Sequence, residues 1–511
     1  MLSPSPAMPA TPSIPPLPRL DLLVQRSTRL AEIDGLPAEA ARWQRDAVQR
    51  RREIQREARD LATPRVWHDT ISGLAGSAWR VATAAAPEAP LVLLSAAAEA
   101  LGTPIGPPIR GGGAMIERAQ KVVRAGGPAY IKLGQFIATG DGLLPDEWVR
   151  AFHWCRDEAP SLRPGKAEEI VYRELGEDAD RIRSMERLPL AAGSIGQVHR
   201  GRLNDGTEVV IKVRRPRLGR RLRKDIESLA LVAAAAPRLR PEIESANLEG
   251  FVELFAELVL EELDFRMEAA NLVEATAVLE SLGAEHVRAP RPIPGMVTER
   301  VLVMELLPGV SYAKLPPEAA GGERGAELLR VGVQSVIEAT LVHGVFHGDM
   351  HAGNVLIDER GGFSLVDLGI TGRLDAEQRA GLVRFLVGFA GSDARVMMEA
   401  MRTFGAVSDD VDLARLIARL QIELEAIDAR DAGAITFERL GQVLGSLLRI
   451  LGAAGVTLPK DLVLFFKNLL YLSGFSAAVA PDADLFAVIQ GILADVFARE
   501  DLAALLVPPG E

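Results

Sequence analysis

The segment His347-Gly348-Asp349-Met350-His351-Ala352-Gly353-Asn354 constrains this chain more than any other. It follows a long helical pattern over 323–344 and runs into a hairpin pattern, Asn354 to Asp358 and Phe363 to Asp367, around Glu359-Arg360-Gly361-Gly362. An Asp five residues before an Asn in such a loop suits a base facing an acceptor and an amide on Mg²⁺. Leu365-Val366-Asp367-Leu368-Gly369 closes the hairpin and puts a carboxylate at a strand end, where it can chelate a metal bridging phosphate oxygens. Mg²⁺ takes few protein carboxylates beside phosphate oxygens, so Asn354 and Asp367 are a chemically sufficient pair.

Two upstream features stand in the order a kinase fold needs. Pro189-Leu190-Ala191-Ala192-Gly193-Ser194-Ile195-Gly196-Gln197-Val198 precedes a hairpin whose turn is Asn204-Asp205-Gly206. Small residues at a strand turn let backbone N–H groups approach phosphate oxygens, which makes Ala191, Ala192, Gly193 and Ser194 candidate nucleotide contacts. The returning strand carries Val210-Ile211-Lys212-Val213, with Lys212 able to reach the α/β-phosphates. Glu268, 56 residues on in a helical pattern, is the candidate partner for its ammonium. The apolar strand Val301 to Leu306 ends near Glu305, which is placed with the nucleotide-binding residues.

Composition excludes several other classes. One cysteine, Cys155, rules out a disulfide framework and a Cys-based zinc cluster, and it reads as a packed small hydrophobe. His347 and His351 lack a third ligand nearby and are expected to shape their loop by hydrogen bonding. A net charge of −11 argues against a general nucleic-acid binder. The longest uncharged stretch noted, Asn468 to Pro481, is too short to span a bilayer. The reading is cytoplasmic, with a peripheral membrane contact left open.

The chain divides into a Pro-rich, disordered start (1–20), a variable helical region (21–106), a helical extension (107–165), a β-rich lobe with inserted helices (166–306) and a helical lobe (307–511). The mixed charges of 20–62, as in Arg50-Arg51-Arg52-Glu53, predict a solvated helix. Asp375-x-x-Gln378 predicts a capping box, and Pro459 a first helical residue.

These residues resemble the UbiB family of atypical kinases, also called ABC1 or AarF, over roughly 110 to 490. Gly127-Pro128-Ala129-Tyr130-Ile131-Lys132-Leu133-Gly134-Gln135 is similar to its KxGQ signature. Residues 189–198 are similar to its Ala-rich loop, Glu262-Leu263-Asp264 to its ExD motif, and 347–354 to its HxDxHxGN loop. Gly193 brings the Ala-rich loop closer to a Gly-rich one, and Gly348, Met350 and Ala352 stand where Ala, Pro and Pro are commoner.

The resemblance implies an α+β, two-lobed protein-kinase-like fold with an N-terminal helical extension packed over the active site and a mainly helical C-lobe. Lys132 and Gln135 are then expected near Glu262 and Asp264, with all four counted as nucleotide-site residues. It implies ATP and Mg²⁺ as cofactors, Asp349, Lys212 and Glu268 as catalytic residues, and Asn354 and Asp367 as metal ligands. A lipid or prenyl-quinone intermediate, lipid-biosynthesis proteins and a membrane surface are the implied partners, and nucleic acid is not. Two rival readings are a small-molecule kinase of aminoglycoside or choline phosphotransferase type, and a nucleotide-binding scaffold without turnover.

Overall fold

The computed structural model describes residues 19–63, 93–94, 96–97, 113–138, 144, 146–157, 161–239, 248–316, 321–407, 411–428, 443–447, 450–451 and 458–499. The Pro-rich start, most of 70–106 and most of the segment after the KxGQ motif lie outside them.

Alternating apolar residues build the smaller lobe. Strands β1 (Ile182–Met185), β2 (Ala191–Ala192), β3 (Gly196–Leu203) and β4 (Glu208–Arg214) precede β5 (Val287–Arg288), β6 (Pro292–Val297) and β7 (Val301–Glu305). The sheet runs β1-β3-β4-β7-β6, with β2 also on β3. Val209, Ile211 and Val213 point to one face, where they bury against Ile170 and Val171 of helix Lys166–Leu175. Each such side chain contributes about 1.5–3 kcal/mol by leaving water. Val210 and Lys212 point to the other face, toward the main core. Ala191, Val198, Lys212 and Leu302 are paired in turn across four strands, which sets the Ala-rich turn beside the lysine.

The inserted helices are Leu218–Leu239, Leu248–Glu261 and Phe265–Ser281. Asp264 caps the last, accepting from Arg266 N at 3.1 Å. Helix Leu36–Ala62 packs on the second and third through Leu36, Ala40, Trp43, Ala47, Ile54 and Ala58. The expectation of a solvated helix is thus corrected: one face is core, and the arginines beside it reach inward. Arg51 donates to Asn271 at 3.1 Å and lies 3.9 Å from Glu274.

In the larger lobe, helix Gly322–His343 ends at Gly344, whose φ of 68° is the left-handed turn that glycine allows. The chain then enters β9 (Val345–His347). The sheet β5-β11-β10-β8 uses β8 (Val310–Ser311), β10 (Val355–Ile357) and β11 (Phe363–Leu365), while β12 (Thr371–Arg373) pairs with β9. The capping box at Asp375 and Gln378 forms. Pro459 stands one residue outside helix Lys460–Val479, as its cap. That helix is long and apolar enough to cross a membrane, yet 71% of its most apolar stretch is buried in the fold.

Candidate functional site

The site lies where β4, helix Phe265–Ser281, the 347–354 loop and helix Pro128–Ala138 meet. Lys212 Nζ is 2.7 and 2.8 Å from the two oxygens of Glu268 and 2.8 Å from Asp367 Oδ1. Burial pushes the Glu268 carboxyl up to about 7 despite that ammonium. Burial opposes charge on Lys212 too, but Asp367 and Glu268 outweigh it and raise its pKa. Asp367 is half exposed and has a φ of 58°, uncommon for a residue with a side chain. Burial alone raises its carboxyl, and Lys212 brings it below the usual value.

Hydrogen bonds shape the loop. His347 accepts from Asp349 N at 3.1 Å through Nδ1, so its Nε2–H faces Val366 O at 3.1 Å. His351 Nδ1 accepts from Gly353 N. Asn354 Nδ2 donates to Asp349 O at 2.9 Å, which fixes the way its amide oxygen faces. At Gly348 a Cβ would stand 2.7 Å from the Ile370 side chain, so the smaller residue is required by space.

Helix Pro128–Ala138 lies over the site. Lys132 Nζ is 2.6 and 2.8 Å from the Glu262 oxygens, both side chains being largely buried. Burial raises the Glu262 carboxyl; Lys132 opposes this, and Asp367 and Asp349 reinforce it. Gln135 takes a different direction from the one expected. It donates to Cys155 O at 2.9 Å and accepts from Ser194 Oγ at 3.1 Å, tying the helix to the Ala-rich turn. Asp264 is spent on its helix cap and on Arg266, at 2.9 and 2.7 Å. Glu305 is held by Arg291, at 2.8 and 2.6 Å, so its carboxylate is engaged outside the cluster. Ala191 is exposed, Ala192 and Gly193 are half-buried and Ser194 is buried.

Motif spacing missed the far side of Asp349. Lys467, Asn468 and Tyr471 of helix Lys460–Val479 line it. Lys467 Nζ and the Tyr471 hydroxyl donate to Asp349 Oδ1 at 3.0 and 3.1 Å. Asn468 donates to His347 O and accepts from Met350 N. Burial favours a protonated Asp349, but Lys467, His351 and Lys132 hold the carboxyl far below its usual range. One sequence signal was available: Lys467 is the lone charge in Leu462–Tyr471, and a charge in an apolar helix needs a buried partner.

A strand lysine held by a helical glutamate, above a loop with an Asp and an Asn, is the layout of a protein-kinase-like fold. The ABC1 atypical kinase-like domain matches residues 155–401. Rv0647c of Mycobacterium tuberculosis is 32% identical over 70% of this chain and 72% of its own length. A chloroplastic aarF domain-containing protein kinase of Arabidopsis thaliana is 30% identical over 72% of each chain. The probable protein kinase UbiB of Pseudomonas aeruginosa is 31% identical over 72% of this chain and 69% of its own. A solved structure, the Rv3197–erythromycin complex of Mycobacterium tuberculosis, covers 68% of this chain and 95% of its own at 21% identity and a TM-score of 0.40. The chain belongs to the UbiB/ABC1/AarF family of atypical kinases.

Proposed function

We propose that this chain binds Mg-ATP between the sheet lobe and the 347–354 loop and moves the γ-phosphoryl group to water or a small hydroxyl compound. The observation that carries this reading is the charge cluster. Three lysines, Lys132, Lys212 and Lys467, face four carboxylates, Glu262, Glu268, Asp349 and Asp367. The excess is acidic, and its most open member is Asp367. With the Asn354 amide nearby in the loop, that donor set is all oxygen and suits Mg²⁺ rather than a softer metal. Mg²⁺ there would neutralise phosphate charge.

The protein's own groups divide the remaining work. Lys212, steadied by Glu268, orients the α/β-phosphates, and the backbone of Ala191, Ala192, Gly193 and Ser194 approaches them. Lys132 and Gln135, with Glu262, close the cleft from above. Asp349 faces the acceptor. Such catalysis rests on positioning and charge, with little covalent work for the protein. The family resemblance supports a role in lipid or isoprenoid-quinone metabolism, with action at a membrane surface.

The test is Mg²⁺-dependent ATP consumption by wild type beside Asp367→Asn, with and without anionic lipid vesicles. Turnover that requires Asp367 and rises with lipid supports the reading. Full activity in Asp367→Asn refutes it. Nucleotide binding without turnover would favour the scaffold, and clean phosphorylation of a hydroxyl compound the small-molecule kinase.

A further inference from the structure

The chain has eight lysines, and only Lys467 stands at the site without a motif to account for it. Its side chain is 4% exposed, and its ammonium lies 3.0 Å from Asp349 Oδ1. Tyr471, one turn further along the same helix, donates to that same oxygen at 3.1 Å. Two donors on one oxygen fix the rotation of the carboxylate. The other oxygen, Oδ2, is left facing His351, whose Nε2 is 4.0 Å away.

The geometry points to Lys467 as a positioning residue for Asp349. With Tyr471 it holds Oδ1, so that Oδ2 is the oxygen presented to the acceptor O–H. This inference rests on the phosphoryl-transfer reading above. Two further observations separate the role from simple support of the fold. The loop backbone has its own clamp, since Asn468 bonds His347 O and Met350 N independently of Lys467. The nucleotide-side groups are also paired independently, Lys212 with Glu268 and Asp367, and Lys132 with Glu262. The ammonium is further enclosed by the rings of Phe136 and Tyr471, at 5.2 and 5.3 Å, so it has little freedom to leave its carboxylate.

The test compares the full chain with Lys467→Met, Lys467→Arg, Tyr471→Phe, Asp349→Asn and the Lys467→Met/Asp349→Asn double variant. Steady-state Mg-ATP consumption and melting temperature are the readouts. Misplacing Asp349 predicts a kcat about 10–10²-fold lower in Lys467→Met, with KM for ATP within about twofold. Lys467→Arg should recover part of the loss, and Tyr471→Phe should lose about threefold to tenfold. In the Asp349→Asn background, Lys467→Met should change kcat by less than about twofold, because the residue acts through that carboxylate. An unchanged kcat in Lys467→Met, an equal loss in both backgrounds, or a loss confined to KM overturns the inference. Wild type that consumes no ATP overturns the phosphoryl-transfer reading instead. Melting temperature then decides the pairing: a double variant no less stable than the worse single supports it, and additive losses overturn it.

Discussion

Lys212 Nζ stands 2.8 Å from Asp367 Oδ1, so the lysine expected to meet phosphates is bound to the carboxylate expected to meet the metal. The two side chains come from opposite lobes, β4 and the segment after β11. Each neutralises the other across the cleft. Under the proposed reading, bound Mg-ATP would replace this contact: phosphate oxygens would pair with Lys212, and Asp367 would be free to hold Mg²⁺.

The exchange makes a prediction for Asp367→Asn. Asn tolerates a positive φ, so the variant should fold. With one competing negative charge removed, ATP affinity measured in EDTA should rise about fivefold to tenfold. Turnover with Mg²⁺ should fall by about 10²–10³-fold. Titration calorimetry and a phosphate-release assay read the two effects separately.

Lys132→Met should be destabilising. It strands Glu262, which is largely buried and lies near Asp367 and Asp349. Breaking a buried pair from one side costs about 3–5 kcal/mol. Adding Glu262→Gln should restore most of the loss, and urea unfolding of the single and double variants checks this.

Gly134 is a packing requirement. A Cβ there would stand 2.5 Å from Cys155 Sγ and 3.3 Å from the Phe152 ring. Gly134→Ala should lower stability by about 1–3 kcal/mol. Cys155→Ala in the same chain should recover part of it, visible as a higher melting temperature for the double variant.

Asp225 gives a pH dependence. It accepts from Ala129 N at 3.2 Å and so caps helix Pro128–Ala138 from a distance. Burial raises its carboxyl from 3.8 to about 6. The folded state therefore favours the protonated form. This contribution to stability is fully present below pH 3.8 and is lost as pH rises through about 6. Asp225→Asn keeps an acceptor and removes the charge. It should be more stable than wild type at pH 8, by about 2–3 kcal/mol, and nearly equal to it at pH 4. Thermal melts across that range provide the check.

Where chemistry is local, the sequence was informative. Asn204-Asp205-Gly206 and Gly361-Gly362 mark real turns, with φ of 92° at Gly206 and 84° at Gly361. The two-lobed fold followed from the order of the motifs. Contacts between distant segments were harder to read. Lys467 meets Asp349 across 118 residues, with no spacing rule to join them. Gln135 was expected, with Lys132, near Glu262 and Asp264, and its hydrogen bonds go instead to Ser194 and Cys155. Asp264 was already committed to its own helix start, a local bond that competes well with any distant one. Likewise, the charge pattern of helix Leu36–Ala62 concealed a buried face, four of whose eight residues are alanines of weak hydropathy.

Helix Lys460–Val479 has the length and hydropathy of a bilayer span, which a buried core helix of a folded lobe can also have. By hydropathy it qualifies for a bilayer; by its hydrogen bonds it belongs to Asp349, His347 and Met350. Placed in a bilayer, the helix would leave the 347–354 loop without its backing. Lys467, costly in lipid and satisfied by Asp349 in the protein, favours the folded placement of this helix.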